Sequence, residues 1–224
     1  MRRARIMMAF AVAGATAVVG VLSLVPGETG SQAAQSVARP PSPGDPLTGD
    51  EVTRAGRIAS ATWRSHMTTG RAELLYVERD DDKAAGERRR ADAYIYDYRT
   101  DRLVVRTVDL ARGEVVEERT GRGVQPPPSR GEETAAAELL LADPKYGGRV
   151  RAAHLKAGGR PLVSAADLGL RALTFTPRPG DRVAGACEVH RCVRLFVRLP
   201  DGSWLDTSRI VVDLSAKKIL TLEW

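Results

Sequence analysis

Val108-Asp109-Leu110-Ala111-Arg112-Gly113-Glu114-Val115 and Val212-Asp213-Leu214-Ser215-Ala216-Lys217-Lys218-Ile219 are two versions of one phrase. Each follows a strand pattern and a polar turn, Arg99-Thr100-Asp101 in the first case and Pro200-Asp201-Gly202 in the second. A spacing of about 100 residues is too long for a solenoid repeat and suits the duplication of a whole domain. The reading around each phrase is therefore a helix followed by an antiparallel meander, made twice.

The local patterns agree. Thr48 and Glu51 form a capping box at the start of a helix whose apolar positions (Val52, Ala55, Ile58, Ala59, Trp63) recur at helical spacing. Strand patterns follow at residues 72–79, 89–98, 102–110 and 113–119. After the Gly- and Pro-rich stretch 121–128, Ser129 and Glu132 form a second capping box. Asp143-Pro144 should stop that helix and start another running toward Lys156, with Gly158-Gly159 ending it. Strands return at residues 170–176, 192–199, 208–214 and 218–223. The expected fold is α+β: two tandem helix-plus-antiparallel-sheet units, residues 47–120 and 129–224, joined by linker 121–128.

The first residues read as an address. Met1-Arg2-Arg3-Ala4-Arg5 is a positive leader, residues 6–25 are apolar without a charge, and small residues around Ser31-Gln32-Ala33-Ala34 suit cleavage. The apolar run is also long enough to span a bilayer, so a cleaved signal peptide and a retained anchor over residues 1–34 both fit. Arg2-Arg3 leaves twin-arginine export open beside the general route. Either way the body is expected outside the cytoplasm, secreted or membrane-anchored, on a Pro-rich tether over residues 35–46.

Composition excludes little but points away from nucleic acid. The net charge of +6 comes from 34 Lys and Arg against 28 Asp and Glu. Arg, Ala, Gly and Val are abundant and Asn is absent, the pattern of GC-rich coding rather than of a polyanion partner. Cys187 and Cys192 suit a local disulfide in an oxidising compartment. His190 lies between them, but two Cys and one His supply only three metal ligands. Alternation places Tyr94, Tyr96 and Tyr98 on one face of their strand, where they either pack or form a binding platform. Asp80-Asp81-Asp82 lacks the spacing of a calcium loop. His66 and His154 sit late in helices, and no serine has the G-x-S-x-G setting.

The phrase Asp45-Pro46-Leu47-Thr48-Gly49-Asp50-Glu51-Val52, then Val108-Asp109-Leu110, Gly123-Val124-Gln125-Pro126-Pro127, Glu132-Glu133, Glu138 and Asp143-Pro144, resembles the N2 and N3 domains of copper amine oxidases. The resemblance covers most of residues 45–160. It implies two small α+β units of the cystatin-like, helix-on-sheet kind. The family's quinone segment, T-x-x-N-Y-[DE], needs an Asn, and its copper site needs an H-x-H pair. This sequence has neither, since its histidines are His66, His154 and His190. The expectation is an exported, non-catalytic module with no cofactor and no metal, engaging an extracellular protein partner. The alternative is a small-ligand binder or a cystatin-like inhibitor, although the Q-x-V-x-G inhibitory loop is absent. No nucleic acid is expected, and membrane contact only through residues 6–25 if these are retained.

Overall fold

Thr48 and Glu51 close the first capping box as their spacing requires. The Thr48 hydroxyl accepts the Glu51 N–H at 3.3 Å, and the Glu51 carboxylate accepts the Thr48 N–H at 2.8 Å. From there α1 runs Gly49–Ala59 in a computed structural model that describes residues 41–82, 86 and 88–223. The signal or anchor expected over residues 1–34, and the tether as far as residue 40, lie outside the described residues. Among those that are described, no helix is long and apolar enough to cross a membrane.

α1 lies on a four-stranded antiparallel meander, β1 (Ala72–Arg79), β2 (Arg90–Asp97), β3 (Arg102–Asp109) and β4 (Glu114–Arg122), in sequential order. β4 extends into the first two residues of the segment expected as linker. Ala55 and Ala59 of α1 meet Ala91 and Ala93 of β2, so small side chains on both surfaces bring the helix close. Gly56 is part of that approach, since a Cβ there would stand 2.9 Å from Leu74 Cδ2. The helix expected to continue to His66 is interrupted. The Ser60 hydroxyl donates to the Gly56 carbonyl at 2.6 Å and competes with the helical ladder. A 3₁₀ turn, Ala61–Trp63, then leads into the short α2, Arg64–Thr68.

The second half repeats the plan. Ser129 caps α3 (Arg130–Ala142) with Glu132 as its reciprocal partner, and β5 (Gly169–Thr174), β6 (Cys192–Arg198), β7 (Ile210–Asp213) and β8 (Lys218–Thr221) form the second meander. Ala136, Ala137 and Leu140 of α3 pack on Val193, Leu195, Val197 and Val212. The next helix, α4, spans Gly147–Gly158 rather than starting at Pro144. The Asp143 carboxylate accepts the N–H groups of Lys145 and Tyr146, at 2.8 and 3.0 Å, and holds those residues in a turn. α4 ends as expected, at Gly159 with φ 66°. The observed architecture is α+β with two antiparallel four-stranded sheets.

One arrangement occurs in both halves. The residue before β2 is Arg89, and the residue before β6 is Arg191. Arg89 forks onto Glu51, Nε to Oε1 and Nη2 to Oε2, both at 2.8 Å, and donates to the carbonyls of Ser42, Asp45 and Pro46. Arg191 forks onto Glu132 in the same way, both bonds again 2.8 Å, and donates to Gln125 Oε1 and the carbonyls of Pro126 and Pro127. In each case the arginine's own carbonyl accepts an N–H from the repeated phrase, Leu110 at 3.0 Å and Leu214 at 2.8 Å. A single side chain thus ties the helix start, the proline-led segment before it and the hairpin together.

The Arg191–Glu132 pair is wholly buried, with 0% exposure of both side chains. Removing one partner leaves an uncompensated charge in the core, so Arg191→Met and Glu132→Gln are each expected to cost about 3–5 kcal/mol of unfolding free energy. The double variant Arg191→Met/Glu132→Leu should lose much less than the sum, read from urea midpoints. In the first half, Arg89 draws Glu51 down from the ordinary 4.5 to about 2. A depressed carboxylate adds stability that is complete above pH 4.5 and is lost as pH falls through about 2. Glu51→Gln should therefore flatten the dependence of stability on pH in that window, measured by denaturant melts on the acid side.

Candidate functional site

The two halves meet where the first sheet's tyrosines face the second half's clasp. Tyr94, Tyr96 and Tyr98 share one face, the face away from α1, with Leu75, Leu103 and Val105. Tyr96 is fully buried, and the Arg191 guanidinium lies 5.4 Å from its ring centroid. The Tyr98 hydroxyl is 3.0 Å from Glu132 Oε1 and 3.2 Å from Glu73 Oε2. Tyr94 is half-buried, stacks on Tyr76 at 4.3 Å and donates to Glu78 at 2.6 Å. Two of the three tyrosines are thereby engaged in joining the halves. Burial raises all three phenols above their ordinary range.

Glu73 of β1 completes this joint. The Ser129 hydroxyl donates to Glu73 Oε1, so the cap of α3 is shared with the first sheet. A Cβ on Gly131 would stand 2.2 Å from the same oxygen, so a side chain there would displace the Glu73 carboxylate from the cap. Burial is the main reason that the Glu73 carboxyl is held above the ordinary glutamate range, and the nearby Glu132 adds to it.

Beside Glu73 and Tyr98 lies a cleft of about 650 Å³, bounded by α2 and β1 on one side and α3 on the other. Its walls are mainly apolar (Met67, Leu74, Leu139), and Glu73, Glu138, Tyr98 and Lys217 bring polar groups to it. Lys217 has φ 52°, in the left-handed region. The matching position in the first half is Gly113, with φ 71°. Asp109 and Asp213 hold the two turns alike, accepting Arg112 N–H at 2.9 Å and Ala216 N–H at 2.8 Å. The conformation belongs to the duplicated turn, and the second copy fills it with a lysine at the cleft.

The cysteines form the expected disulfide, Cys187–Cys192, with both residues buried among Ala184, Val211, Leu220 and Leu222. His190 does not join them as a ligand. Its Nδ1 lies 2.9 Å from the buried Asp213 carboxylate, and its carbonyl accepts from Gln125 at 3.2 Å. His154 Nδ1 pairs with the Arg160 carbonyl at 3.1 Å, and His66 lies against Trp63 at 5.5 Å between centroids. Asp80 and Asp81 are engaged with Arg90 and Arg79. Among the described residues no three His, Cys, Asp or Glu side chains gather as a metal site.

No protein-family model and no curated protein matches the chain. Among solved structures it is similar to a copper-containing benzylamine oxidase from Hansenula polymorpha, with a TM-score of 0.43 and 12% identity. That similarity covers 81% of this chain and 30% of the oxidase chain. The likeness is to part of a copper amine oxidase, and at that level no residue role passes from one chain to the other.

Sequence reading did not single out Glu73, Glu138 or Lys217 as site residues. Only Lys217 left a local signal, because aligning the two repeated phrases sets it against Gly113. Glu73 gives a direct test of the joint. Its raised carboxyl makes the native state take up a proton at higher pH than the unfolded chain does. Stability relative to Glu73→Gln should rise as pH falls from neutral through the raised value toward 4.5, and level off below it. Paired urea melts of the two proteins at neutral pH and near pH 4.5 measure this difference.

Proposed function

We propose that the chain is an exported, non-catalytic binding module whose cleft between the two halves takes a small amphipathic ligand. Lys217 carries this reading. A non-glycine residue in the left-handed region costs about 1–2 kcal/mol, and such strain concentrates at ligand sites. The first half avoids it with Gly113, while the second half places a lysine at the cleft. The volume of about 650 Å³ and the mix of apolar wall with a few polar groups suit a small molecule.

The groups best suited to chemistry have structural partners. Glu132 and Arg191 hold α3 to β6, His190 pairs with Asp213, and the cysteines bridge each other. The disulfide and the N-terminal address together support placement in an oxidising, extracytoplasmic compartment. In this reading the cleft, not a protein-sized surface, receives the partner.

A thermal-shift panel of phenylalkyl amines, carboxylates and alcohols tests it. At least one probe should raise the melting temperature saturably. Ala142→Trp, a substitution at an exposed rim position, should abolish that shift. Lys217→Gly should stabilise the free protein by about 1 kcal/mol through relief of strain while weakening the same probe. No shift from any probe, or no probe whose shift Ala142→Trp removes, would sink the proposal.

A further inference from the structure

The outer face of the second sheet holds a separate cavity with a different charge. The loop between β5 and β6 folds back over that face, and the disulfide clips it to the first residue of β6. Between loop and strands a cavity of about 720 Å³ remains. Leu173 and Arg194, directly paired across β5 and β6, form its floor together with Phe196. Arg178 and Arg182, both exposed, line the loop side.

Some arginines meet carboxylates, as Arg89, Arg106, Arg119 and Arg191 do, and many exposed ones do not. Among the described residues Arg178, Arg182 and Arg194 make no ion pair. The buried Nε of Arg194 has no hydrogen-bond partner, and its guanidinium lies 5.4 Å from the Phe175 ring centroid. Two carboxylates also line the cavity. Asp181 is occupied in accepting the N–H groups of Val183 and Ala184, at 3.0 and 2.9 Å, and Glu223 makes no ion pair among the described residues. The lining is therefore three guanidinium groups against two carboxylates, around aromatic and aliphatic surface.

A half-buried guanidinium without an acceptor is an incomplete recognition group. Its planar fork matches a carboxylate with two parallel bonds, and poor solvation strengthens them. The aromatic surface beside it suits a flat apolar body. We infer that this cavity binds a small amphipathic carboxylate, with the head group on Arg194, flanked by Arg178 and Arg182, and the apolar part against Phe196, Phe175 and Leu173.

Calorimetric titration with 4-phenylbutanoate, set against the neutral 4-phenylbutanamide, tests the assignment. The carboxylate should bind saturably, at least about tenfold tighter than the amide. Arg194→Gln should lower its affinity about tenfold, and Arg194→Lys should recover part of the loss. Should Arg194→Gln prove unstable, the exposed double variant Arg178→Gln/Arg182→Gln takes its place and should also weaken binding. Ala142→Trp, in the other cleft, should leave this titration unchanged. Equal binding of acid and amide, no binding of either, unchanged affinity in the arginine variants, or loss of binding only in Ala142→Trp would each overturn it.

Discussion

Everything else in this fold leans on a glutamate at the third position of a helix gripped by an arginine at the start of a strand. In the second half the arginine has five N–H groups and finds five acceptors: two Glu132 oxygens, Gln125 Oε1 and the carbonyls of Pro126 and Pro127. That complete satisfaction is why a guanidinium can sit at 0% exposure. The Pro126 carbonyl takes a second hydrogen bond from the Thr174 hydroxyl at 3.1 Å, so the lead-in segment is tied to β5 as well. The arginine side chain therefore closes the cap, the lead-in segment and the hairpin.

The two copies are not equivalent. Arg89 and Glu51 keep 12% and 20% of their side-chain surface, whereas Arg191 and Glu132 keep none. The difference comes from the first sheet, whose Tyr96 and Tyr98 close over the second clasp while Glu73 shares the cap of α3. The first clasp has no such cover among the described residues. The disulfide, too, belongs to the second half, where Cys192 directly follows Arg191 and fixes the strand start on which the clasp depends.

What the sequence revealed was local. Both capping boxes and the eight strands could be read because each is set by neighbours a few residues apart. The two arginines could not, because they reach glutamates 38 and 59 residues away, and Arg88-Arg89-Arg90 looks like an ordinary charged strand end. The shared face of the tyrosines followed from alternation, but its cover did not, since that cover is the other half of the molecule. The break after Ala59 hinged on one serine hydroxyl. The helix start expected at Pro144 gave way to the Asp143 turn. The cleft was illegible for the same reason as the clasps: Glu73, Ala142 and Lys217 converge only after both sheets have formed.

The spacing of the two clasps also sets an order of assembly. The first draws on residues 42–110 alone, so a chain delivered amino-terminus first can shut it before the second sheet exists. The second cannot close until Arg191 and Leu214 have both arrived, late in the chain. During that interval the finished first sheet presents a bare face of tyrosine, leucine and valine. The half-made molecule is thus adhesive on the side that the completed one conceals, and the last third of the chain serves as its own protective cover.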